Sequence, residues 1–299
     1  MLTYGSELQK ATAVQSFWNQ YFEIMDVFDG LVYTRTSTQK TDTYTRLGAA
    51  PMPEEWVGDR NAKSVPEYSF DIVNKPWDAT VPVDKELIKY QQWDEVGGLV
   101  GNLGYKAGMH KVSKLTALLA GGNAAVCDDG QFFFDTDHAD PGAAYTTAQD
   151  NDLTAAATPT DLQMATAIRA CFDAVYGFKD DQGDPIAVND TPANWVVMVP
   201  PSMRAIAMQV LTSSALTGPV GNDLQGTFTV RTNQFMTTAK EFFFFYAGSV
   251  HKPLILQESG GLELTDDIDP KNGNYNYSAT WWGETGYGQW RTAVMYLMT

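Results

Sequence analysis

An α+β fold is predicted by three features of the sequence. A long helical stripe lies between Asp84 and Gly122, further amphipathic helices occupy the middle of the chain, and strand-like runs follow one another through the last third. The chain has 299 residues, 44% of them hydrophobic, which is enough for a substantial core in one large domain or two smaller ones. Lys and Arg number 20 against 36 Asp and Glu, a net charge of −16. Such a field repels phosphate backbones and anionic lipid, so nucleic-acid binding by diffuse electrostatics is disfavoured. The start, MLTYGSELQK, lacks the basic and apolar regions of a secretory signal, and synthesis in the cytoplasm is expected. The densest apolar run is Phe242 to Tyr246, far short of the roughly 20 residues that span a bilayer, so no membrane role is expected.

Residues 6–28 carry Leu8, Ala11, Phe17, Trp18, Tyr21, Ile24, Met25 and Phe28 at mixed three- and four-residue spacings, which predicts an amphipathic helix. The Thr-rich stretch TRTSTQKTDTYTR that follows has few apolar residues and reads as an extended arm. Next, SFDIVNKPWDATVPV alternates through Phe70 and Ile72, breaks at Pro76 and resumes through Ala79, Val81 and Val83, as a bent strand would. The piece around Trp56 and Val57 is its expected hairpin partner, and a hairpin so rich in proline needs an external neighbour.

Asp84 can cap the segment that follows, whose later half predicts a long helix, about 37 Å if it runs from Val96 to Ala120. Gly97, Gly101, Gly104 and Gly108 share a face of it, at a cost of about 1 kcal/mol of helix propensity each relative to alanine. Close approach of another backbone would offset that cost; the alternative is a break at Gly97–Gly98. Gly121–Gly122 ends the helix in either case. DLQMATAIRACFDAVYGF and PPSMRAIAMQVLTSS then predict helices, and NWVVMVP, FTVRTNQFM, EFFFFYAG, KPLILQE and two runs near the C-terminus predict strands.

The densest polar group comprises Asp128, Asp129, Asp135, Asp137, His138 and Asp140. It lacks the alternating ligand spacing of a calcium loop, and solvated aspartates capping turns account for it. Cys127 and Cys171 are too few and too far apart for a disulfide framework or a thiolate metal cage. No nucleophile elbow, Walker loop or dinucleotide fingerprint is present, and none of His110, His138 and His251 has a recognisable partner. No catalytic, cofactor-binding or metal-binding residue is therefore assigned. A leashed helix, an unpartnered hairpin and a glycine-faced helix together describe a subunit completed by copies of itself.

DTYTRLGAAPMPEEWVGDR resembles the signature of the Mu-like gpT major head subunit family of tailed bacteriophages, through Tyr44, Leu47, Gly48, Glu55, Trp56, Gly58, Asp59 and Arg60. The likeness continues through WDATVPVDKELI, CDDGQFFFDTDH, NWVVMVPPSMRAIAMQVL, KPLILQE and GYGQW. It implies the Hong Kong 97 phage capsid fold: an N-terminal arm over 1–45, an extended loop hairpin over 46–83, and a peripheral domain with a spine helix over 84–154. An axial domain over 155–249 and peripheral strands over 250–299 complete it.

The function so implied is that of a non-enzymatic major capsid protein. It would assemble into hexamers and pentamers of an icosahedral or prolate shell, enclosing double-stranded DNA without sequence-specific contacts. The expected interface, on the loop and arm, comprises Trp18, Phe22, Trp56, Asp59, Arg60 and Trp77. With no long charged leader, a separate scaffolding protein is the expectation, alongside a portal and a decoration protein. Rival readings are a metal-dependent enzyme using Asp135, Asp137 and His138, or another virion component such as a tail-tube protein. If shells form, the −16 charge predicts easier assembly as salt screens the repulsion.

Overall fold

The structure, a computed structural model, describes residues 4–22, 24–50, 52–53, 55, 67–140, 143–155, 158–187, 189–217 and 221–299. In chain order its elements are α1 (Tyr4–Phe22), β1 (Val32–Thr36), β2 (Thr41–Leu47), β3 (Glu67–Val73), β4 (Lys75–Val83), α2 (Lys85–Lys89), α3 (Trp93–Ala120), β5 (Asp152–Ala155) and α4 (Asp161–Gly177). There follow β6 (Trp195–Val199), α5 (Arg204–Thr212), β7 (Thr229–Thr232), β8 (Glu241–Tyr246), β9 (Leu254–Ile268), β10 (Tyr275–Tyr287) and β11 (Ala293–Met298).

Helix α3 runs unbroken through Gly97 and Gly98 and ends at Gly121, whose N–H returns to the Ala117 carbonyl. Its glycine face receives α1 at backbone distance. A Cβ on Gly104 would lie 2.2 Å from the Phe17 carbonyl oxygen, and one on Gly108 would lie 3.1 Å from that of Tyr21. The close neighbour expected for the glycines is thus supplied by the same chain at Gly101, Gly104 and Gly108, while a Cβ on Gly97 would meet nothing within 4 Å. Ala13 and Phe17 of α1 bury against Val96, Val100 and Leu103 of α3 and Val83, Tyr277 and Ala279 of the adjoining sheet. Lys111, 2% exposed, locks the arrangement: its ammonium donates to the Tyr21 hydroxyl at 2.6 Å and pairs with Glu258 of β9.

Two expectations need correction. The Thr-rich stretch is no unpaired leash, because β1 lies parallel to β9 from Val32↔Leu254 and β2 pairs antiparallel with β3 from Thr41↔Val73 to Leu47↔Glu67. Its side chains are mostly exposed, so backbone ladders rather than an apolar pattern make it a strand. The partner of β3 is therefore β2 and not the Trp56–Val57 piece, which lies outside the described residues. Likewise β4 needs no external neighbour: it forms the edge of a four-stranded sheet ordered β1-β9-β10-β4. The bend falls at Asn74, whose amide donates to Ser37 Oγ and the Gln39 carbonyl at 2.7 Å each. Pro76 sits within β4 opposite Trp282, as an edge strand permits.

The second sheet is ordered β5-β11-β8-β6-β7. β6 and Phe242–Tyr246 of β8 are buried throughout, which explains their near-continuous apolar sequences. Helix α4, capped by Thr160 Oγ1 accepting from the Gln163 N–H, packs against this sheet through Met164, Ile168, Cys171 and Val175. The C-terminal half of α3 joins the same core through Val112, Leu115 and Leu119, so one helix serves two hydrophobic cores. Among the described residues, no helix is long and apolar enough to cross a membrane.

Candidate functional site

The predicted interface residues fall into separate groups. Trp18 is half-buried on α1 and stacks on Phe22 with ring centroids 6.0 Å apart, and Phe22 is 66% exposed at the end of the helix. Trp77 sits in a different cluster, half-buried on β4. Its indole N–H donates to the Gly283 carbonyl at 3.1 Å, with the Lys114 ammonium 4.3 Å from its ring and His110 at 4.7 Å. Trp56, Asp59 and Arg60 lie outside the described residues. The β2–β3 pair that leads toward them presents Leu47 and Val73 to solvent, 66% and 42% exposed.

What holds the loop end of the β2–β3 ladder, where Arg46 lies opposite Tyr68, was not anticipated. Arg46 of β2 pairs with Asp128 and, at 3.3 Å, with Asp140, and the other Asp140 oxygen accepts from Arg291 at 2.6 Å. Asp128, Asp140 and Arg291 side chains are all at most 3% exposed. Burial opposes the Arg46 cation, but the two carboxylates outweigh it and raise its pKa above the usual value. The backbone N–H of Ala49 adds a bond to Asp181 at 2.7 Å. The hairpin is thus anchored to the body by buried charge.

The acidic cluster read as solvated turn caps is largely buried instead. His138, fully buried and stacked on Trp290 at 3.8 Å, turns its ring nitrogens to Asp129 at 2.6 Å and Asn151 at 3.2 Å. It does not gather Asp135 and Asp137, and Asp137 is exposed. The arrangement proposed for a metal-dependent enzyme is therefore not formed. A distant signal existed only in composition, since nothing local marks which aspartates will meet an arginine more than 90 positions away.

A second carboxylate group, Asp135, Asp150, Asp152 and Glu241, gathers beside β5. Burial first and then its neighbours Asp150 and Asp135 raise the pKa of Asp152, and burial together with Asp152 raises that of Glu241. Groups that hold protons more tightly when folded lose stability as pH rises from the usual carboxylate range through the folded pKa. Asp152→Asn is accordingly expected to raise the melting temperature at neutral pH, and to leave it unchanged near about pH 3, where the carboxyls are protonated in both states. Thermal unfolding at the two pH values checks this, and an equal effect at both would exclude the electrostatic account.

A family model described as Mu-like prophage major head subunit gpT matches residues 8–159, about half of the 299. The chain belongs to this family. The matched span holds most of α1, the β2–β3 hairpin, α3 and the loop carrying Asp128 to Asp140, so the anchored hairpin and the glycine-faced helix are both within the gpT-like region. Over 120 residues the chain is 34% identical to the Mu-like prophage FluMu major head subunit of Haemophilus influenzae, 40% of this chain and 37% of that protein. The alignment spans little more than a third of that relative.

Two solved structures extend the likeness in fold. The bacteriophage JBD30 procapsid matches with a TM-score of 0.53 and 22% identity, over all of this chain and 77% of the other. The JBD30 capsid decorated with minor capsid protein trimers matches with a TM-score of 0.55 and 24% identity, over 70% of this chain and 90% of the other. The fold is accordingly that of phage capsid subunits, the Hong Kong 97 type. Gene product T-like proteins are named as head subunits, a structural class rather than an enzymatic one.

Proposed function

We propose that this protein is the major capsid protein of a tailed bacteriophage, closing as hexamers and pentamers into an icosahedral or prolate shell around double-stranded DNA. The observation that carries this reading is the likeness to the JBD30 procapsid over the whole chain, joined to membership of a head-subunit family. Residues 1–45 act as the arm, 46–83 as the extended loop, 84–154 with 250–299 as the peripheral domain and 155–249 as the axial domain. A separate scaffolding protein, a portal and a decoration protein are its partners; the likeness to a capsid carrying minor capsid protein trimers supports the last. The net charge of −16 suits a wall that encloses DNA without gripping it. The protein is made in the host cytoplasm and ends in the virion.

Electron microscopy of the full chain, expressed alone and with the scaffolding gene of its own phage, is expected to show closed shells. Monomers alone under both conditions, across protein and salt concentrations, would overturn the reading. Phe22 and Trp18 on the arm, and Trp77, Trp56, Asp59 and Arg60 on the loop, are the proposed contact residues. With Phe22 66% exposed, Phe22→Ser is expected to change subunit stability by less than about 0.5 kcal/mol while lowering the yield of shells severalfold. Light scattering during assembly and thermal unfolding of the unassembled subunit separate the two effects; unchanged shell yield would remove Phe22 from the interface.

A further inference from the structure

The contact between Asp129 and His138 poses a chemical question. Both side chains are fully buried, and the carboxylate Oδ2 lies 2.6 Å from Nδ1 of the imidazole. The tautomer is set from the far side of the ring. Asn151 turns its amide nitrogen toward the carbonyls of Phe133 at 2.9 Å and Ala293 at 3.2 Å, so its oxygen faces His138 Nε2 and accepts from it. Nε2 therefore carries a hydrogen, and in the neutral ring Nδ1 is a bare lone pair. A lone pair and a carboxylate oxygen at this separation need a proton or a metal cation between them.

The third side chain at the site is a thiol. Cys127 Sγ lies 2.9 Å from the other Asp129 oxygen, and the Cys127, Asp129 and His138 ligand atoms all fall within 4.8 Å of one another. Tetrahedral ligands bound 2.0–2.3 Å from one ion lie about 3.3–3.8 Å apart, so seating zinc requires the 2.6 Å and 2.9 Å contacts to open by up to about 1 Å through side-chain rotation. The backbone fixes the spacing. Cys127 and Asp129 stand on a tight turn closed by Cys127 N–H to the Gln131 carbonyl at 2.8 Å and passing through Gly130 at φ +90°. Cys127 also lines a surface groove with Val126, Asp128 and Tyr287, so the site is approached from the thiol side.

We propose that Cys127 Sγ, Asp129 and His138 Nδ1 form a structural Zn²⁺ site, with Asn151 as the residue that orients the imidazole. Sulfur, imidazole nitrogen and carboxylate oxygen are the donor types zinc favours, and a ligating histidine whose other nitrogen donates to an oxygen is the usual supporting arrangement. Binding takes the thiol as thiolate and releases its proton. The ion would staple the 127–138 loop, whose Phe133 and Phe134 enter the main core and whose His138 stacks on Trp290.

The test uses the full chain, unassembled and in shells, purified from zinc-supplemented cells into metal-stripped buffer. Elemental analysis is expected to give about one zinc per chain, and Cys127→Ser to lower this at least tenfold while circular dichroism shows the fold intact. Replacing zinc by Co²⁺ is expected to give the thiolate-to-cobalt absorption band in the wild type and none in Cys127→Ser. Folded wild type that holds less than a tenth of an equivalent after incubation with Zn²⁺ would overturn the proposal, leaving a proton as the bridging cation. Equal zinc in wild type and Cys127→Ser would overturn it as well.

Discussion

Replacing Arg291 by alanine is expected to cost about 3–5 kcal/mol of subunit stability, the penalty for leaving a buried charge without its partner. Arg291 is 1% exposed, its Nη2 donates to Asp140 at 2.6 Å and its Nε to the Lys179 carbonyl at 2.9 Å. Truncation takes the shorter contact from buried Asp140, leaving it the 3.3 Å one from Arg46 among the described residues, and leaves the Lys179 carbonyl with the Gln149 amide at 3.1 Å. An internal control is available. Arg169 pairs with Asp223 at the surface, with side chains 33% and 66% exposed, and Arg169→Ala should cost no more than about 1 kcal/mol. Urea unfolding of the unassembled variants measures both, and similar small losses would show that the Arg46–Asp140–Arg291 group is hydrated and structurally idle.

Gly104→Leu is expected to expel α1 from α3. Even the first carbon of the new side chain would sit 2.2 Å from the Phe17 carbonyl oxygen and 2.9 Å from its carbonyl carbon, so backbone, not a flexible side chain, is in the way. Losing the burial of Phe17 alone forfeits about 1.5–3 kcal/mol, before Ala13 and the Lys111–Tyr21 bond are counted. Gly98, on the same helix, lies free of the contact: a Cβ placed there would meet nothing within 4 Å. Gly98→Ala should stabilise the subunit by about 0.5–1 kcal/mol through helix propensity. Opposite signs for the two substitutions identify close backbone packing; two stabilised variants would refute it.

These two residues also mark where the sequence is readable. The glycine face of α3 shows in the text because 3.6-residue periodicity and the propensity cost of four glycines are local properties. The apolar β6 and β8 show for a similar reason, since strands buried on both faces leave long hydrophobic runs. The strands β1 and β2 do not show. Their side chains are mostly threonine and charged residues facing solvent, and their stability comes from ladders with β3, a short way along the chain, and with β9, more than 200 positions away. The buried charge group is hidden for the same reason: Asp140 meets Arg46 across 94 positions and Arg291 across 151, and the aspartates nearby look like any polar loop. Local text reports periodicity and turn chemistry, while pairing between distant polar residues is decided only when the chain is closed.

The position of α3 in both hydrophobic cores has a thermodynamic consequence. Its N-terminal half holds α1 and the four-stranded sheet, its C-terminal half holds the five-stranded sheet, and its 28 residues are one hydrogen-bonded column. Neither core can melt alone without fraying the helix that completes the other, so their opening free energies are coupled rather than additive. A subunit built this way responds to a displacement at either sheet as a single cooperative unit. In amide hydrogen exchange, that unit would register as matched protection along the full length of α3.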